Sequence, residues 1–268
     1  MIEKYKQWLI RNNLASKTVE SYTWTLSDFF KRYRGRVSKN ILLKYKVYLI
    51  ENFKPQTVNL RLQGLNRYLE FVKREELKLK FLKVPQKNFL ENVISNSDYI
   101  FLKNSLKKDG LENWFFVVWY LAATGARVSE LIQLKIEHVK DGHFDIYTKG
   151  GKIRRLYIPQ KLQKATLDWI YRNGRESGYL FLNKYQEQIS PRGISQQLKS
   201  FAKKYNLNPK VVYPHSFRHL YAKNFLSKFK DIALLADLMG HESIETTRIY
   251  LRRTASEQRS IVDKVITW

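Results

Sequence analysis

Apolar side chains recur at three- and four-residue intervals through the first third of the chain. They group as Tyr5, Trp8 and Leu9, then Val19, Tyr22, Leu26, Phe29 and Phe30, then Leu42, Tyr45 and Leu49. That period puts each group on one face of an amphipathic helix, so residues 1 to about 85 are expected to be entirely helical. Ser16 and Asn59 (or Thr57) stand where helix N-caps would go, and Gly35 and Pro55 punctuate the pattern. The pattern breaks in residues 81–96 (FLKVPQKNFLENVISN), which hold Pro85 and three asparagines and predict a linker. The expected organisation is a helical domain at 1–82, a linker at 83–95, and a second domain at 96–268 ending in a tail at 251–268.

The second domain reads as helical through Leu134. Its longest apolar run, WFFVVWYLAA at 114–123, is half of the roughly 20 residues a bilayer span needs, and predicts a buried core helix. The period then shortens to two. HFDIYTK and KIRRLYIP alternate and are joined by Gly150-Gly151, a hairpin signal, and Asp141-Gly142 suggests a second hairpin turn pairing IEHVK with HFDIY. Helical spacing returns around 194–205, 216–228, 232–239 and 244–251. The fold class is therefore mainly α with a small antiparallel β-sheet.

Charge adds a partner to this picture. The 49 Lys+Arg against 24 Asp+Glu leave +25, a field that attracts polyanions. A ribosomal protein, a membrane-surface protein or compositional drift in a lysine-rich proteome would share that balance. Residues 1–90 hold 20 Lys+Arg against 7 Asp+Glu, and residues 91–268 hold 29 against 17, so basic density is highest in the helical third. Aromatics interleave with the sharpest basic run, KRYRGR at 31–36, which points to a surface gripping a nucleic-acid backbone. Candidate contacts are Lys31, Arg32, Arg34, Arg36 and Arg61, with Lys152 and Arg154 on the hairpin. Arg154 and Arg155 alternate along a strand, so one is expected to face DNA and the other solvent. Zero cysteines exclude disulfides, thiolate catalysis and zinc fingers. His138 and His143 are expected to be exposed beside the hairpin without holding a metal. The first residues carry no apolar signal region, so an intracellular protein is expected.

Four residues suit phosphodiester chemistry. His215, Arg218, His241 and Tyr250 follow one another at intervals of 3, 23 and 9. Cutting and resealing a DNA strand without metal or nucleotide needs a nucleophile, cations for the non-bridging oxygens and an acid for the departing sugar oxygen. A tyrosine nucleophile keeps the phosphodiester energy in a covalent bond. Its ordinary pKa near 10 calls for a base or a cationic surround. His215 and Arg218 share one helix face behind Pro214, His241 follows Gly240 at a turn, and Arg127 opens a helical pattern in ATGARVSEL. Lys149 sits in the hairpin tip TKGGK, with Lys152 three residues on as an alternative, and His219 reads as structural.

Over essentially its whole length the chain resembles the tyrosine recombinase family (phage-type integrase, Xer-like). TGARVSEL resembles the first arginine box, PHSFRH the H-x-x-R-H box, LMGHESIETTRIY the closing tyrosine segment, and TKGGKIRRLYIP the hairpin carrying the family lysine. SKTVESYTWTLSDFF and KPQTVNLRLQGLNRYLEF resemble the four-helix core-binding domain. Phe217 and Met239 depart from the usual leucines but stay apolar. The resemblance implies a core-binding domain and an α+β catalytic domain closing as a C-shaped clamp on duplex DNA, without cofactor or metal. It implies Tyr250 as the nucleophile forming a 3′-phosphotyrosyl link and Arg127 and Arg218 as phosphate clamps. Lys149 would be the general acid, His215 an aid to proton removal from the tyrosine, and His241 a phosphate hydrogen bond. It further implies a tetramer working through a Holliday junction in the cytoplasm, at the nucleoid. The tail's Ile261, Val262, Val265, Ile266 and Trp268 would dock on a neighbouring protomer or pack on their own domain. Because the sequence starts at the core-binding helices, an Xer-like or mobile-element enzyme is expected rather than a lambda-type integrase. The rivals are a type IB topoisomerase and a catalytically silent DNA-binding regulator of the same fold.

Overall fold

Each apolar group of the first third lies on one helix of a four-helix arrangement: α1 (Ile2–Arg11), α2 (Ser16–Tyr33), α3 (Lys39–Asn52) and α4 (Pro55–Phe71). The structure, a computed structural model, describes residues 1–84, 92–147, 153–241, 243–251 and 255–266 (the backbone alone at 255–258). Tyr5, Leu9, Leu26, Phe29, Leu42, Tyr45 and Leu49 are fully buried in one core, with Trp8 and Phe30 packed at its margin. The Tyr5 hydroxyl donates to the Gly64 carbonyl at 2.8 Å, which satisfies a phenol that the core would otherwise strand.

The caps differ from expectation. Ser16 is the first residue of α2, and Ala15 precedes it as N-cap without a side-chain bond. α4 starts at Pro55, whose missing N–H is harmless in a first turn, so Thr57 and Asn59 lie inside the helix. Asn59 is used otherwise. Its amide donates to the Leu82 carbonyl (2.9 Å) and accepts from the Leu82 N–H (2.8 Å). Asn66 does the same for Leu79, at 2.9 Å each way. Two helical asparagines thus hold the extended segment 79–82 as a sheet edge would, pairing backbone groups that no strand satisfies.

Contacts divide the chain into two compact units, Met1–Gln86 and Lys87–Trp268. Pro85 and the middle of the expected linker, 85–91, lie outside the described residues. Ile94, within the expected linker, is 1 % exposed in the second core, and its N–H donates to Ser216 Oγ at 2.7 Å.

The second unit runs α5 (Asn96–Lys108), α6 (Glu112–Thr124), α7 (Val128–Leu131), α8 (Ile136–Asp141), β1 (His143–Tyr147), β2 (Ile153–Tyr157), α9 (Gln160–Arg172), α10 (Pro191–Lys204), α11 (Pro214–Lys228), α12 (Ile232–Met239), α13 (Ile244–Arg248), a 3-10 turn (Ile249–Leu251) and α14 (Ala255–Val265). α6 holds the apolar run and is the expected core helix. Val117, Val118, Tyr120 and Leu121 are fully buried, and the helix packs on α5, α9 and α11. β1 and β2 pair antiparallel, with Ile146 opposite Arg154 and Asp145 opposite Arg155. The expected pairing of IEHVK with HFDIY is not formed. IEHVKD is α8, because Ile136 and Val139, three apart, are its buried residues, and Gly142 ends it. α9 is an addition to the expected elements. It buries Leu162, Thr166, Trp169 and Ile170 at helical spacing. Among the described residues no helix is long and apolar enough to cross a membrane.

Candidate active site

Arg218 is the pivot of the site. Pro214 opens α11, and one turn later Arg218 points into the interior at 1 % exposure, while His215 stays exposed. An arginine there needs acceptors on several sides. Nη1 donates to the Gly125 carbonyl (2.6 Å) and Nη2 to the Met239 carbonyl (2.7 Å). The same Nη2 lies 2.9 Å from His241 Nε2. Because a guanidinium only donates, that Nε2 accepts, so the Nδ1–H donates to Thr247 Oγ1 at 2.7 Å. Burial, with the charges of Arg127 and Arg154, lowers the Arg218 pKa to about 10, which leaves it cationic at neutral pH.

Tyr250 sits in the 3-10 turn after α13 and is 5 % exposed. Its ring stacks on His241 (centroids 6.1 Å apart, planes 11° apart) and tilts against His219 at 5.3 Å. Burial raises its pKa, while Arg218, by charge and hydrogen bonding, and Arg127 pull it down. His215 lies edge-on to His219 at 4.4 Å, and its pKa is lowered by the partial desolvation of a ring that keeps an exposed edge, and by the charges of Arg218 and Arg127. His219 and His241 fall to about 4, burial being the main cause in both. His219 is buried with Nδ1 unpartnered.

Arg127 is the N-cap of α7, and Glu130 three residues on closes the cap. Glu130 accepts from the Arg127 N–H (2.7 Å) and Nη1 (2.8 Å), and Arg127 Nη2 reaches the Gly240 carbonyl (3.1 Å). Burial would raise the Glu130 pKa, but Arg154 and then Arg127 outweigh it and hold the carboxyl below its ordinary value. Glu130 and Thr247 are polar residues of the site that the sequence motifs do not single out. The R-V-S-E spacing, with an acid at the third helical position, is the capping signal that points to Glu130.

The structure brings Arg127, His215, Arg218, His241 and Tyr250 into one neighbourhood, whereas Lys149 and Lys152 lie outside the described residues. A cleft of about 860 Å³ beside them is lined by Arg127, Glu130, Arg154, Gly240 and His241 and by both strands. Arg154 does not lie on an outer face. It is 5 % exposed and paired with Glu130, while Arg155 faces outward and forks onto Asp145. In the first unit Lys31, Arg32, Arg34 and Arg36 are exposed at the end of α2 and just beyond it. Arg32 is tied to Asp28 and to the Tyr48 hydroxyl. Arg61 lies 3.9 Å over the Trp24 ring and 4.5 Å over that of Phe53. His138 and His143 are half-buried rather than exposed. His138 accepts from the Lys135 N–H and stacks on Phe144, and His143 Nδ1 lies 3.0 Å from the Asp141 carbonyl.

The phage integrase family profile matches residues 88–257. Tyrosine recombinase XerA of Pyrococcus furiosus is 29% identical over 272 residues, covering 98% of this chain and 93% of the relative. Among solved structures, the Tn1549 transposon integrase in complex with transposon right end DNA superposes with a TM-score of 0.74 at 14% identity, over 98% of this chain and 99% of the other. XerH bound to palindromic difH substrate in a post-cleavage complex gives 0.73 at 18% identity, over 96% and 81%. At these identities the two structures speak for the fold.

Proposed function

The chain belongs to the phage integrase family, and from that premise we propose that it cuts and rejoins DNA through a 3′-phosphotyrosyl intermediate on Tyr250. It is a site-specific tyrosine recombinase. The observation that carries the residue assignment is the contact sequence Arg218, His241, Tyr250: a buried cation bonded to an imidazole on which the phenol stacks. In the proposed step His215 takes the phenol proton. The tyrosine oxygen bonds to phosphorus as the bond to the 5′ oxygen breaks, and Lys149 protonates that oxygen. Arg127 and Arg218 take the charge on the non-bridging oxygens and His241 hydrogen-bonds the phosphate. Reversal by a 5′-hydroxyl reseals the strand without an outside energy source.

The DNA-bound integrase and XerH structures support duplex DNA as the partner. The exposed basic residues Lys31, Arg32, Arg34 and Arg36 fit phosphate contacts by the helical domain at 1–82. In α14 and just after it, Val262, Val265 and Ile266 are 53%, 60% and 46% exposed, which favours docking of this segment on a neighbouring protomer in a tetramer over packing on its own unit.

The test is trapping on a nicked duplex carrying the recombination site, where release of a short 5′-ended strand prevents resealing. Wild type is expected to give a covalent adduct and Tyr250→Phe none. No adduct on any site would favour a silent regulator, and robust relaxation of supercoiled plasmid lacking the site would favour a topoisomerase.

A further inference from the structure

Three arginines end on three consecutive carbonyls at the C-terminus of α12. Arg154 Nε donates to Leu238 (2.7 Å), Arg218 Nη2 to Met239 (2.7 Å) and Arg127 Nη2 to Gly240 (3.1 Å). The last carbonyls of a helix lack intrahelical donors and carry the negative end of its dipole, so this end is a seat for cations. Two of these arginines serve the proposed reaction. The third, Arg154, has no part in it.

Arg154 is nevertheless held by more specific contacts than a packing residue needs. Its side chain is 4% exposed, and Nη1 donates to both Glu130 oxygens, at 2.9 and 2.8 Å. Glu130 is the carboxylate that grips Arg127 by its N–H and by Nη1. Through separate atoms, Arg154 therefore touches the group that orients Arg127 and the turn that leads into His241. Gly240 shows how close that approach is. Its φ is +62°, and a Cβ there would sit 2.3 Å from Arg154 Cδ. A lysine could not reproduce the arrangement, because one ammonium replaces a planar fork spanning a carbonyl and a carboxylate.

We propose that Arg154 is a positioning residue for strand cleavage. It locks β2, the carboxylate behind Arg127 and the Gly240 turn into one register, so that Arg127 meets the scissile phosphate already oriented. The inference rests on the reading of Arg127 as a phosphate clamp. It also moves Arg154 away from DNA contact, since Nε and Nη1 are engaged by protein acceptors and Nη2 is buried without a partner.

The experiment measures single-turnover adduct formation by the full chain on two nicked duplexes. One carries the natural scissile phosphate, and the other a neutral methylphosphonate that needs less cationic clamping. Arg154→Lys and Arg154→Met are compared with Arg172→Gln as a control at the exposed end of α9, away from the cleft. On phosphate both Arg154 variants are expected to lose ~100-fold in rate, the scale of an ångström's misplacement, with DNA affinity kept within about twofold. On the methylphosphonate the loss should shrink below ~10-fold, and Arg172→Gln should track wild type on both. If Arg154→Met does not fold, Arg154→Lys decides alone. An equal loss on both duplexes would mean a merely structural arginine and overturn the proposal. Weaker binding with a shallower salt dependence would mean a direct phosphate contact and overturn it too. Failure of the wild type to form adduct would overturn the site reading and this inference with it. A wild-type adduct with unchanged Arg154 variants overturns this inference alone.

Discussion

The basic run of the first unit lies outside, whereas the second unit takes two of its arginines in. Lys31, Arg34 and Arg36 project from the helical unit into solvent, whereas Arg154 and Arg218 are at most 5 % exposed in the other. The two placements obey different physics. An exposed cation contributes to a field that salt screens, and one can replace another at modest cost. A buried cation is costly unless acceptors surround it, and those acceptors then fix its position. Under the proposed function the same residue type serves affinity in one unit and geometry in the other. That contrast orders the expected effects.

The largest belongs to the interior. Arg218→Ala is expected to lower adduct formation by ~10³-fold or more while leaving DNA affinity within about twofold, because charge stabilisation in the transition state disappears. A parallel fall in affinity in a titration would erase the contrast.

Next comes pH. All five histidines lie in the second unit, and His219 and His241 are held near 4 against an ordinary value of 6.5. Between those values the unfolded chain binds protons that the folded chain does not, so stability rises with pH across that window. It is complete above about 6.5 and lost as pH falls towards 4. The slope is at most about 1.4 kcal/mol per pH unit for each histidine, and smaller for the half-exposed His241. Hydrogen exchange at pH 5, taken relative to each amide's intrinsic rate at that pH, should accelerate in α11 and α12 and leave α1 to α4 unchanged, and His219→Gln should blunt the effect. Equal acceleration in both units would contradict it.

The smallest effect is at the surface. Replacing Lys31 and Arg32 by glutamine should weaken binding a few-fold at low salt and cut the salt slope by roughly one for each DNA phosphate no longer neutralised. Arg32 should contribute less than Lys31, since Asp28 and Tyr48 already engage it. An unchanged slope would mean that neither touches DNA.

The same contrast explains what the sequence disclosed. Helix faces were legible because burial imposes a period: Tyr5, Leu9 and Leu26 could be placed from spacing alone. The candidate site was legible as ordered motifs around Arg127, His215, Arg218, His241 and Tyr250, which the fold brings into one neighbourhood. Three local patterns mislead. Asp141-Gly142 is a hairpin dipeptide and also a common helix ending, and the buried pair Ile136 and Val139 decides between them. Asn59 suits a cap by residue type, but its amide is committed to Leu82, a partner 23 residues away. Arg154 sits in an alternating strand that points Ile153 and Tyr157 outward and itself inward, against hydrophobicity. Only the positions of Glu130 and the α12 carbonyls make that inversion favourable, and no local window contains them.

Arg218→Lys tests the central claim most directly, since it keeps the charge and removes the fork. Adduct formation and DNA affinity are to be measured on the same nicked duplex. A lysine cannot reach the Gly125 carbonyl, the Met239 carbonyl and His241 together, so cleavage should fall by ~10²-fold or more with binding intact. Cleavage near the wild-type rate would mean that charge alone suffices there and that interior geometry does not set the chemistry.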